Sequence, residues 1–138
     1  MDLSPLETVR RYYDAVHPGR RAELMELLDP HIVVDVPEGF PGSGGIYHDL
    51  RAYMVDFLYG FYGSFDLRVE PEEFLDAGER VVALGRFRGT ALATGAPVDV
   101  PFAHVWTVHK GHLVQGRLFT DTAVLTRAAG GPLPPARQ

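Results

Sequence analysis

The spacing of apolar residues in the first half of the chain predicts three helices. Ser4-Pro5 followed by Glu7 is a typical helix start, with serine as the N-cap, proline at the first helical position and glutamate at the third. The elements predicted from this half are a helix from Pro5 that ends at Pro18-Gly19, a short helix over about 22–28, a strand at 31–36, a loop rich in glycine and proline at 37–45, and a helix over about 49–61.

In the second half the apolar pattern changes to a period of two, which indicates strands. The predicted strands cover 65–75 and 81–92, and two more form a hairpin within 101–125. Helices followed by antiparallel strands predict one α+β domain at 1–125, in which three N-terminal helices pack on a curved, mixed, mainly antiparallel sheet and enclose a cone-shaped pocket. The glycine- and proline-rich segment 126–138 is predicted to be a disordered tail.

The C-terminal hairpin carries the candidate chemistry. Lys110-Gly111 predicts a two-residue turn, which places His104 opposite Arg117. The alternative is a three-residue loop. It would shift the register by one residue and place His104 on the face opposite Asp121. With the two-residue turn, one face combines aromatic and polar side chains, as small-molecule pockets do: Phe102, His104, Trp106, Leu113, Gln115, Arg117, Phe119 and Asp121.

Composition and charge narrow the class of protein. The formal net charge is −5 and no basic patch is interleaved with aromatic residues, so nucleic acid is not an expected partner. The chain has no cysteine and no histidine spacing typical of a metal site, so neither a metal nor a cofactor is predicted. No apolar run approaches the ~18 residues that span a bilayer, and the N-terminus lacks the apolar core of a signal peptide. We therefore predict a cytoplasmic protein without membrane contact.

Four stretches together resemble the nuclear transport factor 2-like superfamily, which has a cystatin-like fold. They are LETVRRYYDAV from Leu6, LMELLDPHIVVDV from Leu24, GGIYHDLRAYMVDF from Gly44, and the hairpin from His104 to Leu125. The superfamily includes ketosteroid isomerases and SnoaL-like polyketide cyclases. SnoaL-like cyclases place a histidine on the fourth strand and an acid–base aspartate near the end of the last strand, and those positions match His104 and Asp121.

The other branches match less of this sequence. The first-helix tyrosine of ketosteroid isomerases matches Tyr12, and their base falls near Asp35 or Val36. Their second oxyanion donor, an aspartate, falls on Ala103 or His104 and is therefore missing. The Asp-Arg-Asp relay of the epoxide hydrolases would find Arg117 and Asp121, but a second inward aspartate has no clear position here.

The resemblance and the hairpin face together imply a cofactor-independent acid–base enzyme acting on an apolar, oxygenated cyclic small molecule, such as a polyketide cyclase or an isomerase. Burial would raise the pKa of Asp121 and make it the general acid or base, with His104 and Arg117 stabilising an enolate or alkoxide. The side chains expected to contact the substrate are Tyr12, Asp35, Phe102, Trp106, Gln115 and Phe119.

Two alternatives stay open beside this hypothesis. One is an epoxide hydrolase, and the other is a non-catalytic small-molecule-binding protein or dimeric scaffold of the same fold, which a small pocket volume would favour. We also expect a homodimer through the outer face of the sheet, where an apolar patch would otherwise be exposed. The residues of that expected patch are Ala103, Val105, Val114 and Leu118.

Overall fold

The computed structural model describes residues 2–17 and 19–131, and within them four helices pack with a six-stranded mixed sheet. The first three helices are those predicted from the sequence. The helices are α1 (Pro5–Ala15), α2 (Arg21–Leu27), α3, which is π-helical at Ala52–Leu58 and α-helical at Tyr59–Ser64, and α4 (Thr122–Ala128). No helix of this described part of the chain is long and apolar enough to cross a membrane.

The start of α1 follows the predicted local signals. The Ser4 side chain accepts a hydrogen bond of 3.1 Å from the backbone N–H of Glu7, and Pro5 occupies the first helical position. Ser4 thereby satisfies one of the N–H groups that the first turn of a helix leaves unpaired. The buried face of α1 then carries Tyr12 and Tyr13 into the space above the sheet.

The strands are β1 (Leu28–Val36), β2 (Gly45–His48), β3 (Phe65–Ala77), β4 (Arg80–Ala91), β5 (Pro97–His109) and β6 (His112–Thr120). Their order is β2-β1-β6-β5-β4-β3, and each pair is antiparallel except β1 and β6, which run parallel. The predicted fold class is confirmed. The short edge strand β2 was not predicted, because most of its length lies just after a glycine-rich loop whose composition conceals it.

The hairpin turn is the predicted one, but its register changes within three residues. His109 pairs with His112 and Val108 with Leu113, after which Thr107 pairs with Gln115. The extra residue, Val114, makes a β-bulge, and every later residue of β6 is shifted by one position relative to β5. His104 therefore lies opposite Leu118 and not, as the sequence predicted, opposite Arg117.

The bulge follows from the polarity of β6. With a regular ladder, Gln115 and Arg117 would point into the apolar interior, where an unpaired guanidinium costs several kcal/mol. With the bulge, Gly116 and Leu118 are buried, while Gln115, Arg117 and Phe119 are exposed. The bulge thus places the polar side chains of Gln115 and Arg117 in solvent and leaves Gly116 and Leu118 on the apolar inner face.

The chain after β6 also differs from the prediction. The last strand ends at Thr120 and not at Leu125, since Asp121 begins α4. Thr94 donates a 2.5 Å hydrogen bond to the carbonyl of Ala128, which ties the end of α4 to the turn before β5. Of the predicted tail 126–138, the first three residues belong to α4, and residues 132–138 lie outside the described part of the chain.

The outward apolar patch changes with the register. Ala103 and Val105 face outward and are partly exposed, as predicted, but Leu118 is buried in the interior. Phe119 takes its place on the outer face and is 45% exposed. The homodimer stays a prediction, now with Phe119 in the patch that it would cover.

Candidate functional site

The bulge divides the predicted site residues between the two faces of the sheet. Tyr12, Phe102, His104 and Trp106 are buried in the interior, between the sheet and helices α1 and α3. The other predicted residues lie outside this interior: Asp35, Gln115, Arg117, Phe119 and Asp121 are all exposed. The expectation that one face of the hairpin combines the aromatic residues and His104 with Gln115, Arg117, Phe119 and Asp121 was wrong, because it assumed an unbulged ladder.

On the outer face, three of the displaced residues come together. Asp35 pairs with Arg117 across the parallel strands β1 and β6, and both line an outer groove of about 230 Å³ with Gln115. The guanidinium of Arg117 lies 5.4 Å from the ring centre of Phe119. These residues therefore form a polar surface on the outer side of the sheet, away from the cone-shaped interior.

Asp121 makes a structural contact at the start of α4. Its carboxylate accepts a hydrogen bond of 3.2 Å from the backbone N–H of Val124 and caps α4. The side chain is exposed and does not lie in the buried pocket where the sequence placed it. Asp121 and Arg117 form no ion pair among the described residues.

The interior contains a chain of three hydrogen-bonding side chains. The indole Nε1–H of Trp106 donates to the hydroxyl of Tyr13 at 2.9 Å, and that hydroxyl lies 2.6 Å from Nδ1 of His104. An indole N–H can only donate, so the Tyr13 oxygen accepts from it. We assign the proton of the Tyr13 hydroxyl to its bond with Nδ1, because His104 is the other hydrogen-bond partner of this buried hydroxyl among the described residues. Neutral His104 then accepts at Nδ1 and carries its proton on Nε2.

Burial keeps every member of this chain uncharged. Desolvation lowers the pKa of His104 from 6.5 to about 3, and desolvation raises the pKa of the Tyr13 hydroxyl well above its ordinary value. His104 is 5% exposed, and its Nε2 makes no hydrogen bond to any residue in the described ranges. The Nε2–H is therefore an uncommitted neutral donor in a site of low polarity.

A second pair of hydroxyls lies beside this chain. The Tyr12 hydroxyl is hydrogen-bonded to the Tyr53 hydroxyl from α3. Desolvation raises the pKa of the Tyr12 hydroxyl well above its ordinary value, and it also raises the pKa of the Tyr53 hydroxyl. The Tyr12 ring centre is 4.7 Å from the indole of Trp106. The hydrogen-bonded chain of three residues and this pair of tyrosines therefore form one buried aromatic cluster that joins α1, α3 and β5.

Sequence reasoning missed two residues of this cluster. The predicted site included Tyr12 but not Tyr13, and the structure places both in the hollow, edge to face with ring centres 5.0 Å apart. The predicted site also lacked Tyr53, which is 1% exposed inside the cone. Its place on the apolar side of the third helix was the available signal, since a buried tyrosine hydroxyl needs a partner.

The cone is nearly filled by its own side chains. The cavity beside His104 measures about 20 Å³, which is room for about one water molecule. Among the described residues that line it, none is acidic and none carries a guanidinium group. The lining comprises Tyr12, Tyr13, Val16, Phe40, Tyr53, Phe57, Leu58, Phe61, Tyr62, Val69, Phe87, His104, Leu118 and Thr120.

A larger cavity of about 210 Å³ lies next to it, bounded by the chain that follows α1 and by α2 and α3. Val16, Leu58 and Tyr62 line both cavities. As for metals, the ranges 2–17 and 19–131 contain no group of three or more histidine, aspartate or glutamate side chains placed to hold an ion.

Solved structures show the same fold. An NTF2-like protein from Burkholderia thailandensis E264 is 28% identical, with a TM-score of 0.85 over 94% of this chain and 99% of its own. A candidate SnoaL-like polyketide cyclase from Jannaschia sp. CCS1 is 26% identical, with a TM-score of 0.76 over 93% of each chain. TerC, co-crystallised with polyporic acid, is 24% identical, with a TM-score of 0.82 over 92% of this chain and 98% of its own.

Sequence comparisons define the family more closely. A search among curated proteins gave no significant match. The model of the SnoaL-like domain matches residues 9–116, a span that includes most of α1, the buried tyrosines, His104 and Trp106. That span is well over half of the chain and holds most of the described interior. This chain therefore belongs to the SnoaL-like domain family.

Proposed function

We propose that this chain binds an apolar, oxygenated cyclic small molecule inside the cone, with a carbonyl oxygen of that molecule accepting from Nε2–H of His104. The observation that supports this most is the Trp106–Tyr13–His104 chain. It fixes the histidine tautomer and leaves one neutral donor free beside a cavity walled by aromatic rings. Aromatic walls with one placed donor are suited to a ketone.

Two further points support a small organic ligand. TerC, a protein of this fold, was co-crystallised with polyporic acid, so the fold accommodates a small organic molecule. The groups facing the cone are uncharged, so a neutral carbonyl compound loses less solvation there than an ion would. The volume beside His104 is small, and a ring system needs the neighbouring cavity as well.

A cofactor-independent enzyme, such as a polyketide cyclase or isomerase, is the second candidate. The neutral donor favours it, because hydrogen bonds aimed at a carbonyl oxygen in a dry site stabilise the enolate that such reactions form. His104 would act as the oxyanion donor and Tyr13 as the residue that positions it. The acid–base role expected of Asp121 has no support from its position on the cap of α4, so the base would come from the substrate or from a bound water.

Binding of 2-acetylnaphthalene tests the first proposal. We expect His104→Asn to weaken binding about five- to ten-fold, because asparagine replaces the Nδ1 acceptor but not the Nε2–H donor. His104→Gln should retain part of the affinity, since its amide nitrogen lies near the position of Nε2. With a ¹³C-labelled carbonyl, the infrared stretch should fall in frequency on the wild type and not on His104→Asn.

The control for that experiment is His112→Asn, which changes an exposed histidine of the hairpin turn. It should bind the ketone as the wild type does. Equal affinity of His104→Asn and the wild type, with the same carbonyl frequency in both, would rule out the proposed contact.

Exchange of the methyl protons of 2-acetylnaphthalene for deuterium tests the second candidate. If the site stabilises an enolate, the wild type should accelerate this exchange over buffer, as followed by proton NMR. Tyr13→Phe should reduce the acceleration by at least about ten-fold, because His104 then loses the partner that fixes its tautomer. Binding without any acceleration would identify a binding protein and exclude the enolising enzyme for this substrate class.

A further inference from the structure

The second cavity lies between the chain that follows α1, helix α2 and helix α3. It measures about 210 Å³, roughly ten times the volume of the cavity beside His104. Its lining is mainly apolar. Its lining residues include Val16, Arg21, Leu24, Met54, Leu58 and Tyr62.

Tyr62 stands at the partition between the two cavities. Its ring lines both, and its hydroxyl donates a hydrogen bond of 2.8 Å to the carbonyl of Val16, the residue that caps the end of α1. A helix end leaves its last carbonyls without helical partners, and this bond pairs one of them with a side chain of α3. Release of this one hydrogen bond would let the ring move and join the two cavities.

The π-helical part of α3 forms a wall common to both cavities. Tyr53 and Phe57 line the inner cavity, Met54 lines the outer one, and Leu58 lines both. π-Helical turns are uncommon and are frequently found at functional sites. This segment places side chains of one helix on two adjoining spaces, which is what a ligand spanning both would contact.

The charge around the outer cavity is of one sign. Among its described lining residues, Arg21 carries a positive charge and none is acidic. Arg20, one position earlier, donates to the carbonyl of Asp14 and lies 3.9 Å from Glu23, whereas Arg21 forms no ion pair with any described residue. Arg21 is therefore available to a negatively charged group at the mouth of this cavity.

We infer that the two cavities are halves of one binding site, separated by Tyr62, which takes an elongated aromatic ketone with a carboxylate at its outer end. The carboxylate pairs with Arg21, and the carbonyl at the other end reaches His104. This inference rests on the proposed function for the inner end alone. The proposed contact between the carboxylate and Arg21 does not depend on the function proposed for His104.

Two probes separate these contacts: 6-acetyl-2-naphthoic acid and its methyl ester, which differ only in the charge of the outer end. We expect the wild type to bind the acid about five-fold more tightly than the ester, as an exposed ion pair allows. Arg21→Gln should remove this preference, and Arg20→Gln should preserve it as the matched control. Equal binding of the acid by Arg21→Gln and the wild type, or no binding of either probe at millimolar concentration, would overturn the inference.

The kinetics test the partition. Tyr62→Phe removes the hydroxyl that bonds Val16, so the association rate of the acid in stopped-flow fluorescence should rise about five-fold. Tyr59→Phe is the control, since Tyr59 lines only the outer cavity and is 68% exposed. An unchanged rate in Tyr62→Phe would show that Tyr62 does not separate the halves.

The two proposals can fail independently in this design. If His104→Asn weakens both probes while Arg21→Gln weakens neither, the inner contact is supported and the outer site is wrong. If Arg21→Gln weakens the acid while His104→Asn weakens neither probe, the outer site is supported and the proposed function of His104 is wrong.

Discussion

Replacing Gly116 with alanine should lower the free energy of unfolding by about 3 kcal/mol, at the upper end of the usual cost of overpacking a core. Gly116 lies opposite Trp106 across β5 and β6. A Cβ atom at this position would lie 2.8 Å from Cε3 of the indole and closer still to Cζ3. Real Cβ atoms do not approach so closely, so either the ring or the strand must move.

The indole has little freedom to move. Trp106 is 0% exposed, and its Nε1–H is already committed to the Tyr13 hydroxyl. A shift of the ring would break that bond and leave a buried donor unpaired, a cost of about 1–3 kcal/mol that forms part of the expected loss. The same shift would remove the contact that orients Tyr13 towards His104. Gly116→Ala should therefore weaken ketone binding as well as the fold.

Urea unfolding followed by tryptophan fluorescence measures this effect directly, because Trp106 is the only tryptophan of the chain. Gly63→Ala is the matched control: the same change on α3, where an added Cβ meets nothing within 4 Å. It should be neutral or stabilise by up to about 1 kcal/mol, since alanine favours a helix over glycine. A Gly116→Ala protein as stable as the wild type would show that the indole does not lie on this residue.

The sequence predicted the features that depend on neighbouring residues. Ser4, Pro5 and Glu7 specify the start of α1 within a single turn, and Lys110-Gly111 specifies the hairpin turn between two strands. Both predictions are confirmed, because the groups that satisfy one another lie close together along the chain.

The register of the hairpin depends on more than its turn. Counting from Lys110-Gly111 puts Arg117 inside the cone, whereas the solvation of Arg117 requires it outside. The bulge at Val114 reconciles the two. In β6, Gly116 and Leu118 alternate with the polar residues Gln115 and Arg117. This alternation indicates the bulge if the inner face of the strand is required to be apolar along its whole length.

The partners of the buried hydroxyls could not be predicted from the sequence. Tyr13 and His104 are separated by 91 positions, and Tyr12 and Tyr53 by 41. Their contacts depend on how α1 and α3 lie on the sheet, which the helical spacing of apolar residues does not specify. The candidate site therefore depends on the placement of α1 and α3 over β5, which residues close together along the chain do not specify.

Acid should destabilise this fold through His104. In the unfolded chain its pKa is about 6.5, and burial lowers its pKa to about 3 in the folded protein. Below pH 6.5 the unfolded chain therefore binds a proton that the folded protein does not. This contribution to stability is present in full above that pH and is lost progressively as the pH falls towards 3.

Between pH 7 and pH 5 this linkage should remove about 2 kcal/mol of the free energy of unfolding. His104→Asn should remove that part of the pH dependence, since asparagine does not titrate yet still accepts from Tyr13. His112→Asn, at the exposed turn, should keep the wild-type dependence. Urea unfolding of the three proteins at several pH values measures the difference. Parallel curves for His104→Asn and the wild type would mean that His104 does not stay neutral in the fold, and the neutral donor on which the proposed ketone site depends would be excluded.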